Sequence, residues 1–304
     1  MRVAKIATFL MLLSSLCRAE IPEFRDYGAN PGELTARFFQ SSLSSAPLVI
    51  LLHGCTQIGE DFAEQSGFLA QARSQKFNLL IPQQSNTNNA HLCFNWYNQA
   101  DQQKDSGESL SLKNMIIHAM TLSQTRDVYI AGLSAGGAMT NIMLLNYPEL
   151  FTAGAIIAGL PYPCAVDLKQ ALNCMKAGPS VSSQQSFNQS LAGRPNRWPK
   201  LTIWFGNKDE VVNPINGHRL TQQWATLTGA QPKDANSPSK SKFKISHWLD
   251  KNNRVRIQTV EFEDLGHGIP VSPSQPGGGQ AGPYLLSAPL SAAIAITQFW
   301  RPTG

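Results

Sequence analysis

Three short stretches hold side chains whose types and order suit covalent ester chemistry. The first is Gly132-Leu133-Ser134-Ala135-Gly136. A serine hydroxyl is a weak nucleophile alone. It needs a base to take its proton, a third group to orient that base, and donors for the oxyanion that forms. Gly206-Asn207-Lys208-Asp209-Glu210 offers the carboxylate, and Gly266-His267-Gly268 offers an imidazole between two small residues. The order serine, acid, histidine fits hydrolases in which a G-x-S-x-G turn joins a strand to a helix. Ser134 is therefore expected as nucleophile. Asp209 is expected as the acid, with Glu210 its rival. His267 is expected as the base, ahead of His53, His91, His118, His218 and His247.

Those residues need a frame. Val128 to Ala131 reads as a short buried strand and Ala138 to Leu145 as a helix. Gly132 and Gly136 lack a Cβ, so strand and helix can pass close to the turn that carries Ser134. The backbone N–H of Ala135 then points into the space above the serine. Pro47 to Leu52 is a continuous apolar run, as expected of a strand buried on both faces. It ends in His53-Gly54-Cys55, and the N–H of Cys55 is the expected second oxyanion donor. The ring of His53 is expected to be satisfied by loop carbonyls.

Further strands are expected over Leu34–Phe39, Phe77–Pro82, Phe151–Ala158 and Leu201–Phe205. Residues 242–249 and 254–262 suit a hairpin. Helices are expected over Asp61–Ser74, Gly107–Met120, from Pro214 to Leu227, and over Leu286–Trp300. Strand and helix alternate, so the fold class is α/β: a mostly parallel, doubly wound sheet with helices on both faces. Residues 159–200 break the rhythm with Pro, Ser and Gln, and are expected to form a cap-like insertion over the site. Trp96, in a polar loop beside Cys93, either covers the core or touches substrate.

The chain has 304 residues, of which 42% are hydrophobic and 15% charged, enough for one large globular domain over 20–304. Its formal charge is +5, but Arg2, Lys5 and Arg18 fall within an N-terminal stretch that reads as a secretory signal peptide over 1–19. The remaining positive excess is too small for a nucleic-acid footprint. The apolar run Ile6 to Leu13 is too short to span a bilayer, and Leu16 is bulky for a lipid anchor on Cys17. A secreted or periplasmic protein without a stable membrane anchor is expected. Removal of the leader leaves Cys55, Cys93, Cys164 and Cys174, which allow three pairings. Nearness in sequence favours Cys164 with Cys174, leaving Cys55 with Cys93 to tie two loops near the site. There is no H-E-x-x-H and no clustered Cys/His pattern, so no metal or other cofactor is expected.

Several stretches together resemble the polyhydroxybutyrate (PHB) depolymerase family of α/β-hydrolase esterases. They are Leu52-His53-Gly54-Cys55-Thr56-Gln57, Cys93-Phe94-Asn95-Trp96, the Gly132–Met139 turn, Ile157-Ala158-Gly159-Leu160-Pro161-Tyr162 with Cys164, Asp209 ahead of Val212-Asn213-Pro214, and Gly266-His267-Gly268 with Pro270-Val271. Phe205 departs from the pattern, since relatives often carry a histidine there. The resemblance implies an exported serine esterase with Ser134, Asp209 and His267 in the roles above. It implies 3-hydroxyalkanoate polyester or its oligomers as substrate, or alternatively feruloyl or acetyl esters of plant polysaccharides.

Overall fold

A computed structural model of the chain describes residues 20–190, 197–233 and 242–300. The expected leader, 1–19, lies outside the described residues. Nine strands form one sheet. They are β1 (Thr35–Phe39), β2 (Leu48–Leu52), β3 (Asn78–Gln83), β4 (Val128–Leu133), β5 (Ala153–Ile157), β6 (Lys200–Gly206), β7 (Gln231–Pro232), β8 (Phe243–Leu249) and β9 (Val255–Phe262). Their spatial order is β1-β3-β2-β4-β5-β6-β9-β8-β7. The six central strands run parallel, while β1, β8 and β7 pair antiparallel at the edges. This is the α/β-hydrolase architecture.

The helices are α1 (Gly59–Gln65), α2 (Phe68–Gln75), α3 (Gln99–Gln102), α4 (Gly107–Ser123), α5 (Ala135–Asn146), α6 (Leu168–Ala177), α7 (Val181–Ser190), α8 (Ile215–Thr228) and α9 (Ala292–Trp300). Alternation along the central strands splits the core in two. Leu48, Ile50, Leu52, Val128 and Ile130 face Met115 and Ile116 of α4 and Met139 and Met143 of α5. Val49, Leu51, Tyr129 and Ala131 face Phe62, Phe68, Ile296 and Trp300 on the other side. Each such side chain contributes roughly 1.5–3 kcal/mol through burial. Every residue of α5 is buried, so the helix behind Ser134 has no solvent face.

Two expected helices are corrected. Residues 61–74 do not form one helix: Gly67, at φ +90°, breaks the run between α1 and α2. A Cβ there would lie 2.5 Å from the Gly277 carbonyl, because the glycine-rich loop crosses at this point. The last helix starts at Ala292, not at Leu286. Leu285–Ser287 (β11) instead pairs in parallel with Ile269–Val271 (β10), just after His267. This small clasp, with Ile269 N–H bonded to the Tyr284 carbonyl at 2.9 Å, anchors the histidine loop.

Within residues 159–199, the Cys164–Cys174 disulfide ties the start of the insertion to α6. Asp167 caps that helix by accepting from Gln170 N–H at 2.8 Å. The far end of α6 is fastened to the loop after β6 and to the first turn of α8. Asn213 N–H donates to the Met175 carbonyl at 2.8 Å, and Asn216 Nδ2 donates to the Cys174 carbonyl at 3.0 Å.

Candidate active site

Ser134 sits between β4 and α5 at φ 56°, ψ −116°. A non-glycine residue in that region carries about 1–3 kcal/mol of strain and persists only where its surroundings hold it. Here they do. A Cβ on Gly132 would collide with the Gly136 carbonyl, and one on Gly136 would collide with the carbonyls of Leu52 and His53. The two glycines thus let β2, β4 and α5 meet at backbone distance. Ser134 N–H is fixed to the Ile157 carbonyl at 2.9 Å, and the Ser134 carbonyl accepts from Ala138 N–H at 2.8 Å.

The loops after β6 and β9 bring the other two groups. Ser134 Oγ lies 2.8 Å from His267 Nε2, and His267 Nδ1 lies 2.8 Å from Asp209 Oδ2. A carboxylate only accepts, so Nδ1 donates to Asp209 and Nε2 is left to accept the serine proton. The other oxygen of Asp209 accepts from Val211 N–H at 2.9 Å and Val212 N–H at 2.8 Å. Glu210, the rival acid, is exposed. The remaining histidines lie elsewhere, with His91 exposed. His53 is buried under the loop, His118 packs on Phe24, His218 lies edge-on to Phe205, and His247 contacts Gln258. The backbone carbonyl of His91 accepts from Thr56 N–H.

A cleft of about 110 Å³ opens over Ser134 and His267. Cys55 and Gly54 border it on the β2 side. Met175 of α6, Val211 and Tyr284 border it on the other. Ala135 N–H opens the first turn of α5, where helix donors have no partner within the helix. Among the described residues, no hydrogen bond outside the helices and strands uses Cys55 N–H. Larger hollows of about 450, 600 and 630 Å³ lie elsewhere and include none of the three.

The structure pairs Cys55 with Cys93, and so joins the two loops. Of the two roles open to Trp96, the structure gives core cover and not substrate contact: it is 6% exposed, packs edge-on against Tyr97 and does not border the cleft. Its loop is polar in sequence, but the disulfide and Asn95 N–H bonded to buried Glu108 at 2.8 Å turn the ring inward. Phe205 is likewise buried, against Gly217. Tyr284, Met175 and Val211 line the cleft without having been singled out from the sequence. Only Met175, next to Cys174 in the expected cap, carried any hint. No group of three or more His, Cys, Asp or Glu among the described residues is arranged to hold a metal ion. No described helix is long and apolar enough to cross a membrane.

Residues 38–239 match the family described as esterase PHB depolymerase. Poly(3-hydroxyalkanoate) depolymerase C of Paucimonas lemoignei is 33% identical over 98% of this chain and 74% of its own length. Feruloyl esterase B of Talaromyces funiculosus is 24% identical over 90% of this chain and 80% of its own. Among solved structures, an acetyl xylan esterase from Aspergillus awamori superposes with a TM-score of 0.71 at 22% identity, covering 82% of this chain and 94% of that one, a likeness of fold. The chain belongs to the esterase PHB depolymerase family and is a carboxylic ester hydrolase on an α/β-hydrolase fold.

Proposed function

We propose that this chain is an exported serine esterase that cleaves 3-hydroxyalkanoate-type polyester or its oligomers through an acyl-enzyme. The observation that carries the reading is the pair of 2.8 Å contacts joining Ser134, His267 and Asp209 beside a strained serine. Ser134 Oγ attacks the ester carbonyl carbon as His267 Nε2 takes its proton. The oxyanion rests on the N–H groups of Cys55 and Ala135, each contributing roughly 3 kcal/mol. Collapse expels the alcohol, which takes the proton back from His267. Water, deprotonated by the same nitrogen, then attacks the acyl carbon, and Ser134 leaves with the proton. Asp209 holds the imidazole in the required tautomer and offsets its transient charge.

The size and flank of the cleft favour polyester. About 110 Å³ is well under the roughly 300 Å³ at the lower end of small-molecule pockets, so it suits a short acyl unit. The rest of the substrate must lie outside. Leu168 and Leu172, 58% and 50% exposed, share a face of α6 with Met175 at helical spacing and lead away from the cleft. An apolar surface of this kind suits an aliphatic chain better than a hydroxylated polysaccharide. A second reading, hydrolysis of feruloyl or acetyl polysaccharide esters, draws on half-exposed Tyr284, edge-on to His267 at 6.1 Å, as a partner for an aromatic acyl group. We read residues 1–19 as a cleaved export signal and 159–200 as the cap.

The test has two parts. A fluorophosphonate probe is expected to modify Ser134 and no other residue; folded protein with no adduct there removes the mechanism. Hydroxybutyrate oligomers, methyl ferulate and acetylated xylan are then compared. A kcat/KM higher on either polysaccharide-type ester than on the oligomers overturns the polyester assignment.

A further inference from the structure

Among the buried groups that the proposed reaction leaves idle, His53 has the most specific surroundings. It directly follows β2, is fully buried, and packs its ring on Phe94 at 4.9 Å. Its Nδ1 lies 2.7 Å from the carbonyl oxygen of Gly54, which can only accept, so Nδ1 carries the hydrogen. Its Nε2 lies 3.2 Å from the N–H of Gln84, which can only donate, so Nε2 is bare. Both ring nitrogens are used, and the ring is the neutral Nδ1–H tautomer. Burial agrees, lowering its pKa to about 4.

The carbonyl gripped by Nδ1 is half of a peptide unit. The other half is the N–H of Cys55. In a trans peptide the C=O and N–H lie in one plane and point in opposite directions. Whatever fixes the Gly54 oxygen on the buried side therefore aims the Cys55 hydrogen on the cleft side. The groups around that unit are also held. Gly54 N–H donates to Gln57 Oε1 at 2.7 Å, Thr56 N–H donates to the His91 carbonyl at 2.7 Å, and the Cys55 side chain is tied to Cys93. These contacts fix the flanks but not the rotation of the unit itself. Two donors touch the carbonyl that sets that rotation: Gln57 N–H at 3.4 Å, at the far limit of a hydrogen bond, and His53 Nδ1 at 2.7 Å, which is the firm one. The ring is backed in turn by Gln84, whose Nε2 donates to Glu108 Oε1 at 2.5 Å and to the Cys93 carbonyl at 3.0 Å.

We propose that His53 is a positioning residue for ester hydrolysis, aiming the Cys55 N–H at the oxyanion by holding the opposite edge of the same peptide unit. It takes no part in proton transfer, since His267 fills that place. The inference rests on the proposed roles of Ser134 and Cys55. Without the His53 bond, that carbonyl keeps only the long Gln57 contact, so the Gly54–Cys55 unit can turn with little change in the path of the chain, and the oxyanion then meets one donor where it needs two.

The test compares His53→Leu and His53→Asn with the wild type on 4-nitrophenyl butyrate, and measures inhibition by a short alkyl trifluoromethyl ketone. That ketone forms an alkoxide adduct with a serine and so reads the oxyanion site directly. For His53→Leu, kcat is expected to fall about 10²-fold, the size of one lost oxyanion donor, with KM within about twofold. The ketone's Ki is expected to rise in step with the fall in kcat/KM. His53→Asn, whose amide nitrogen can stand where Nδ1 stood, is expected to recover most of both losses. A merely structural role lowers the fraction of active enzyme and leaves Ki unchanged; an unchanged Ki, or equal losses in Asn and Leu, overturns the proposal. If His53→Leu does not fold, His53→Gln replaces it. Its amide nitrogen reaches the Nε2 position, so Gln as active as Asn is the overturning result. Failure of the wild type to hydrolyse the ester or to be labelled at Ser134 counts against the underlying mechanism, whereas normal wild-type behaviour with an indifferent His53 counts against this inference alone.

Discussion

The two walls of the cleft are built by different means. On the β2–α5 side, position is set by buried backbone: Gly132 and Gly136 at contact distance, a strained Ser134, and a Cys55 loop held by hydrogen bonds and a disulfide. On the α6 side the wall consists of half-exposed or exposed side chains, Met175, Val211 and Tyr284, borne on three separate segments. The first wall has little freedom to vary, because a Cβ added at Gly132 or Gly136 meets backbone. The second can change one side chain at a time with little effect on the core. On the proposed mechanism, the first wall carries the nucleophile and the oxyanion donors, and the second is left to choose the substrate.

The sharpest way to break the contrast is at the serine. On the proposed mechanism, Ser134→Ala lowers kcat by about 10⁶-fold and Asp209→Asn by about 10⁴-fold, with folding retained in both. Initial rates on 4-nitrophenyl butyrate, with melting curves as controls, measure this. A Ser134→Ala protein with more than a hundredth of wild-type activity would place the nucleophile elsewhere. Next in size is Gly136→Ala. Its new Cβ meets the carbonyls of Leu52, the last residue of central strand β2, and of His53, the buried residue after it, and neither can readily yield. A loss of about 3 kcal/mol or more in denaturant unfolding is expected, near or beyond the upper end of ordinary overpacking.

Smaller is a pH effect on the same wall. The His53 pKa is lowered to about 4 from an ordinary 6.5, first by burial, against the opposing bond to Gly54. Between those values the unfolded chain holds a proton that the folded chain refuses, so this term lowers stability as pH falls from 6.5 towards 4. Glu108 lies beyond Gln84 and acts oppositely. Burial, then the charge of Asp101, pushes its carboxyl up to about 8. The folded chain keeps that proton between 4.5 and 8 while the unfolded chain loses it, so this term lowers stability as pH rises. The stability advantage of wild type over His53→Asn should therefore be smaller at pH 4.5 than at pH 7, by about 2 kcal/mol. Its margin over Glu108→Gln should be larger at pH 5 than at pH 8. Urea unfolding at those pH values decides it, and a margin over His53→Asn that does not move with pH would mean the ring is solvated.

The same contrast explains what could be read from the chain alone. The elbow was legible because its demands fall on consecutive residues: a strand, two glycines around a serine, and a helix. Asp209 and His267 were legible through their order and their place after strands. The fully buried strands were legible as unbroken apolar runs. Tyr284 and Val211 were not, since neither carries a local pattern and only the β10–β11 clasp and the turn after Asp209 bring them to the cleft. Trp96 stayed open between two roles because its polar neighbours hid that Asn95 and Asn98 spend their hydrogen bonds on Asn89 and on the cap of α3, which leaves the ring free to bury. The break at Gly67 depends on a loop more than two hundred residues away in sequence, which no local window contains.

The smallest expected effect tests the second wall. Leu168 and Leu172 project from α6 while Ala171 and Cys174 face inward, so the leucines add little to the core. Changing both to serine should leave the melting temperature within a few degrees, because surface substitutions usually change stability by less than about 0.5 kcal/mol each. The small-ester rate should change less than twofold, since neither side chain borders the cleft. On suspended hydroxybutyrate polymer the result should differ. A leucine loses up to about 2 kcal/mol of favourable burial when it can no longer cover apolar surface, and two partly covered leucines amount to roughly tenfold in adsorption. Parallel rates on dissolved trimer and on suspended polymer separate the cases. Equal rates on both, relative to wild type, would show that the exposed face of α6 meets no substrate, and the preference for polyester would then rest on the cleft's small volume alone.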